Sequence, residues 1–137
     1  MNAVTTTPAV RCAALRLPEA ETGLALARRF TRETLRGWRL DDVVPDAELA
    51  VSELVSNALC HAHGEPRLRL SLTGRGVLVE VDDNSPVRPV VRTGGGDGGW
   101  GLRMISRLSL GWGATPLPHG GKTVWCELPE TAGPLSA

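Results

Sequence analysis

The stretch from Glu48 to His63, Glu-Leu-Ala-Val-Ser-Glu-Leu-Val-Ser-Asn-Ala-Leu-Cys-His-Ala-His, has the spacing of a helix. Ala47, Ala50, Val51, Leu54, Val55, Ala58 and Ala62 recur at three- and four-residue steps, which on a helix form one apolar stripe. That stripe requires a second layer to cover it. Glu53, Asn57 and His61 step by four and stand in one row. At about 100° of rotation per residue the row runs along the edge of the stripe and faces a half-buried crevice. Mg²⁺ takes oxygen ligands and keeps several waters, so the Asn57 amide oxygen is a candidate ligand for a nucleotide-bound metal. Glu53, one turn away, is a candidate base for the hydroxyl or water that attacks a phosphate. The plain alternative is a surface glutamate beside a solvated asparagine.

Gly64 and Pro66 end the helix. Arg67 to Leu72 then alternates as Arg-Leu-Arg-Leu-Ser-Leu, the period-two pattern of a strand with one wet face. Thr73-Gly74-Arg75-Gly76 supplies a hairpin turn, after which Val77, Val79 and Val81 alternate with Leu78, Glu80 and Asp82. This predicts an antiparallel sheet covered on one face. Parity assigns Asp83 to the covered face with the valines and points Asp82 to solvent. A buried carboxylate needs a partner. Being an acceptor only, it suits an adenine amino group; the alternative is that Asp83 caps a turn in Asp-Asn-Ser-Pro.

Upstream, residues 1–12 read as a flexible leader, followed by a strand from Ala13 to Leu17. Pro18-Glu19 opens a helix with Ala20, Leu24, Ala27, Thr31, Leu35 and Trp38 on one face. Arg28, Arg29, Arg32 and Arg36 lie largely elsewhere, as a solvated face or a partner surface. Asp41-Asp42 and Pro45 punctuate the gap before the second helix. Downstream, Pro86 to Gly98 has no period and contains Gly94-Gly95-Gly96, as a lid-like loop would. Gly98-Gly99-Trp100-Gly101-Leu102 opens a helix to about Leu108. A glycine-rich helix start offers free N–H groups to a phosphate, and a simple glycine-rich turn is the alternative. Strands are expected over Leu108–Ala114 and Lys122–Leu128. Thr123 offers a hydroxyl to a phosphate or to the Asp83 network, or is only a β-branched strand former. Residues 130–137 read as a flexible tail, which leaves 13–129 as a single domain.

With 137 residues the chain is long enough to bury a core without metals or disulfides. A formal net charge of zero, with no basic block, gives no electrostatic support for binding nucleic acid or a membrane surface. Cys12, Cys60 and Cys126 are odd in number and widely spaced, unlike zinc sites or small disulfide frameworks. A reducing cytoplasm is therefore expected. Neither a signal-peptide pattern at the start nor an apolar run of ~20 residues is present.

Taken in order, Glu53-Leu54-Val55-Ser56-Asn57-Ala58, Val81-Asp82-Asp83-Asn84-Ser85-Pro86, Gly99-Trp100-Gly101-Leu102 and Gly120-Gly121-Lys122-Thr123-Val124-Trp125 resemble four segments of one family. They match the N box, G1 box, G2 box and closing strand of the GHKL ATPases, most closely the small bacterial anti-sigma factor/serine-protein kinase branch. The resemblance runs from near Leu17 to Leu128. It implies an α/β (α+β) fold of the Bergerat type: a two-layer sandwich with a mixed, mostly antiparallel sheet and helices on one face. It further implies ATP and Mg²⁺ as cofactors, with Glu53 as general base, Asn57 holding Mg²⁺ and Asp83 bonding the adenine amino group. Gly99 and Gly101 would border the phosphates at the lid hinge. His61, Ser85, Leu102 and Thr123 fall within or beside the matched motifs and complete the expected nucleotide-binding set.

Two positions depart from the pattern. Cys60 and Trp100 stand where close relatives carry basic residues, which removes positive charge near the phosphates. His61 supplies part of that charge if it is protonated, or is a neutral histidine at a helix margin. The activity implied by the resemblance is an ATP-dependent serine/threonine protein kinase that modifies a protein antagonist and regulates a sigma factor, as a cytoplasmic homodimer. The alternative is a non-catalytic ATP-binding module that acts by binding protein partners. An autonomous ATPase, or the catalytic half of a histidine kinase, fits less well because the chain has no room for a phosphoacceptor helix domain.

Overall fold

The alternation in Arg67–Leu72 and Gly76–Asp83 forms a hairpin at the middle of a five-stranded sheet. The computed structural model describes residues 11–87 and 99–130, with side chains in the second span from Leu102 onward. Most of the expected leader (1–10), most of the lid-like loop (88–98) and most of the tail (131–137) lie outside the described residues. In chain order the elements are β1 (Cys12–Arg16), α1 (Glu21–Gly37), a 3-10 turn (Asp41–Val43), α2 (Val44–His61), β2 (Arg67–Leu72), β3 (Gly76–Asp83), α3 (Gly99–Leu108), β4 (Gly111–Pro116) and β5 (Lys122–Pro129).

The strands are ordered β1-β2-β3-β5-β4, and every pairing among the described residues is antiparallel. The sheet, implied by the resemblance to be mixed, is thus antiparallel among the described residues. The physical reason lies in the connection: β3 and β4 run the same way, but β5 inserts between them and pairs with both. The α+β sandwich itself is as expected.

Register aligns the apolar residues in rows across the strands. Leu15, Leu68, Val81, Val124 and Ala114 form one row; Ala13, Leu70, Val79, Cys126 and Trp112 form the next. The central members of both rows are at most 3% exposed. Against them lies α2, whose Val51, Leu54 and Val55 are no more than 1% exposed. Burial of each such side chain contributes roughly 1.5–3 kcal/mol. α2 packs across β3 and β5, with α1 and α3 beside it. The opposite face of the sheet is polar, with Arg69 bridging Glu80 at 3.5 Å and Asp82 at 2.7 Å.

Several boundaries differ from expectation. α2 begins at Val44, not near Glu48, because Pro45 occupies its first turn. There the missing N–H has no helical partner to lose, so a residue that reads as a breaker is a starter. β1 takes in Cys12, assigned above to the leader, and α1 begins at Glu21, which leaves Ala20 exposed. No described helix is long and apolar enough to cross a membrane.

Part of the arginine row braces the two helices. Arg32 donates to both carboxylate oxygens of Glu48, at 3.0 and 3.1 Å, and Arg28 Nε donates to Ser52 Oγ at 2.7 Å. The Arg32 hydrogen bond holds the Glu48 carboxyl below its ordinary value of 4.5. A depressed folded-state value stabilises above the unfolded value, and the contribution disappears as pH falls through the folded one. Glu48→Gln is therefore expected to cost up to about 1 kcal/mol at neutral pH, since Arg32 is 41% exposed and the pair is screened. Urea unfolding of both proteins from pH 7 down to pH 3 checks this: the gap should close in acid.

Candidate functional site

β3 ends in Asp83, and the site is built around that end. Asp83 has the parity of Val77, Val79 and Val81, and at 9% exposure it lies on the covered face as expected. The exit of α2 is pinned beside it: His63 N–H donates to Asn84 Oδ1 at 2.9 Å. α2 also packs on both β3 and α3. α2 therefore adjoins both the end of β3 and α3.

On α2, Glu53 and Asn57 are partly buried and His61, the last helical residue, is exposed. Among the described residues none of the three side chains has a hydrogen-bond or ion-pair partner. A half-buried carboxylate and a half-buried amide left open one turn apart fit a ligand that brings its own donors and a hard cation. The residues present thus suit a magnesium nucleotide.

Asp83 is already engaged through one oxygen. Its Oδ1 accepts from Lys122 Nζ at 3.0 Å and from Ser85 N–H at 2.9 Å. Lys122 also donates to the Ser85 carbonyl at 3.1 Å. The two side chains of this ion pair are 7% and 4% exposed. Lys122 was not among the residues expected from sequence. A usable signal existed, because Lys122 shares parity with the buried Val124, Cys126 and Leu128. Gly121 makes the close approach possible: a Cβ there would collide with the Asp83 carbonyl oxygen.

Thr123 stands elsewhere. It pairs in register with Asp82, and its Oγ1 donates to Asp82 Oδ1 at 2.6 Å on the polar face of the sheet. It is therefore no part of the Asp83 network, because one residue along a strand reverses the face. Asp82, expected to point to solvent, lies on the face away from the helices but is partly buried there, held between Arg69 and Thr123. Leu102 is 2% exposed in the hydrophobic core, where it anchors the first turn of α3. Ser85 is buried; its Oγ accepts from Val87 N–H at 3.2 Å, and its N–H and carbonyl serve Asp83 and Lys122. Gly99 and Gly101 lie in the first turn of α3 with Trp100 between them.

A separate cavity of about 610 Å³ lies between α1 and α2, lined by Leu24, Arg28, Ser56, Leu59 and Cys60 among others. Glu53, Asn57 and Asp83 do not line it. Of the three cysteines, Cys12 and Cys60 are exposed and Cys126 is buried, where loss of hydration pushes its thiol up to about 12.

No curated protein matches the sequence. The profile of the histidine kinase-like ATPase domain matches residues 17–111, from the end of β1 to the start of β4. That span covers well over half of the 137 residues and includes the α2 row, the end of β3 and the glycine-rich start of α3. With the two-layer fold and the open polar row already in place, the match identifies the chain as a member of the histidine kinase-like ATPase domain family, an ATP-binding domain.

Proposed function

We propose that the protein is an ATP-dependent serine/threonine protein kinase of the anti-sigma type, which modifies a protein antagonist and thereby controls a sigma factor. The observation that carries this reading is the pairing of Glu53 and Asn57, one turn apart and without partners among the described residues, on the helix that packs over the strand ending in Asp83. Asn57 would hold Mg²⁺ through its amide oxygen, and Asp83 would accept the adenine amino group. Held there, the metal would neutralise charge on the phosphates. Phosphoryl transfer otherwise depends on positioning, and Glu53 supplies the remaining need by accepting the proton of the attacking hydroxyl. A homodimer in the cytoplasm belongs to the same proposal.

A second reading, a non-catalytic ATP-binding module acting on protein partners, is favoured by Cys60, an exposed thiol where a basic residue would support transfer. Calorimetric titration with ATP and ADP, with and without Mg²⁺, tests the shared part of both readings. Asn57→Ala is expected to remove the Mg²⁺-dependent part of ATP affinity, about 10- to 100-fold for loss of a metal-site group. ATP affinity that is the same with and without Mg²⁺ in the wild type would sink the Asn57 assignment. Single-turnover transfer to a candidate antagonist then separates kinase from binding module.

A further inference from the structure

Lys122 is the one buried cation among the described residues, and it lies beyond the span that the family profile matches. Everything that grips the Asp83 carboxylate enters through Oδ1: the ammonium of Lys122 from β5 and the N–H of Ser85 from the following turn. Among the described residues Oδ2 has no hydrogen-bond partner. The carboxylate is clamped on one oxygen and open on the other.

We propose that Lys122 is a positioning residue for base selection: it holds Asp83 as a fixed acceptor, so that the site takes a 6-aminopurine and rejects a 6-oxopurine. This rests on the nucleotide reading above. An ionised carboxylate can only accept hydrogen bonds. The amino group of adenine at position six donates, whereas the carbonyl of hypoxanthine at that position accepts and would confront Oδ2 with a second acceptor. The selection holds only while the carboxylate, whose side chain is 4% exposed, keeps Oδ2 aimed at position six of the base. The ammonium at 3.0 Å does that. Without it only the Ser85 N–H holds the carboxylate, which can then turn Oδ2 away from the base and no longer sets a fixed acceptor against position six. Lys122 therefore governs the choice of base without needing to touch it.

The test is titration of wild type, Lys122→Met, Lys122→Gln and Lys122→Arg with ATP and with inosine triphosphate, both as magnesium complexes. Wild type is expected to prefer ATP by about 10- to 150-fold, the range for a hydrogen bond to a charged group. Met and Gln should bring the ratio to within about threefold of unity, and Arg, which keeps the charge, should restore the preference. The ratio is the readout because partial unfolding weakens both nucleotides alike. If Met or Gln weakens both nucleotides and leaves the ratio at the wild-type value, Lys122 is only structural and the inference is overturned. A wild type that binds inosine triphosphate as tightly as ATP overturns it without recourse to any variant. Wild type that binds neither nucleotide at millimolar concentration overturns the nucleotide reading itself, and this inference with it.

Discussion

Asp83→Ala is expected to lower the unfolding free energy by about 3–5 kcal/mol, the cost of removing one partner from a buried ion pair. The argument concerns Lys122 more than Asp83. With the carboxylate gone, an ammonium that is 7% exposed keeps only the Ser85 carbonyl at 3.1 Å. An uncompensated charge in that position is expensive, and a domain of this kind has only about 5–15 kcal/mol to lose. Replacing both residues, as in Asp83→Ala/Lys122→Met, removes the stranded charge. The double variant should therefore be more stable than the two single losses sum to, with a coupling energy of about 1–3 kcal/mol. Urea midpoints of the four proteins decide it; strict additivity would mean that the pair contributes nothing as a pair. Loss of ATP affinity in an Asp83 variant alone thus reports on folding as well as on adenine.

Glu53→Gln is expected to behave in the opposite way, with chemistry lost and fold kept. Removal of a general base slows transfer by about 10²- to 10⁴-fold. The change is isosteric and falls on a partly buried side chain without a protein partner among the described residues, so stability should move by less than about 0.5 kcal/mol. ATP affinity should stay within a few-fold of wild type, because the proton is taken only as the transition state forms. Single-turnover transfer to a cognate antagonist, alongside titration with ATP, separates the two quantities. Transfer by Glu53→Gln at the wild-type rate would refute the base assignment and move the search to another acceptor near Asn57.

Periodicity was a good guide wherever one face of an element meets the core. The α2 stripe, the Arg67–Leu72 strand to the residue, and the burial of Asp83 all follow from which side chains must leave water. It served less well where a residue's usual environment differs from its actual one. Lysine at a strand start reads as solvated by its charge, although it shares the parity of the buried Val124 and Cys126. Thr123 offers a hydroxyl, but the same parity assigns it to the other face. Pro45 reads as a break because its place in the first turn depends on where the helix begins, which apolar spacing fixes only to within a turn. The bracing role of Arg28 and Arg32 was hidden because it depends on two helices meeting, and pattern within one helix is silent on that.

The insertion of β5 between β3 and β4 also sets an order of events. The β2–β3 hairpin closes across a short turn, whereas Asp83 and Lys122 are 39 residues apart. Long-range pairing bears its loop-closure entropy before any contact rewards it. At a synthesis rate of about 5–20 residues per second, roughly 2–8 s pass between the emergence of Asp83 and that of Lys122. Throughout that interval β3, with the apolar row Val77, Val79 and Val81, has one edge unpaired. Such an edge invites strands from other chains, so nascent protein is most vulnerable to aggregation just before β5 arrives. The same strand that shields the sheet also brings in Lys122, and the candidate base site is complete only when that hazard has passed.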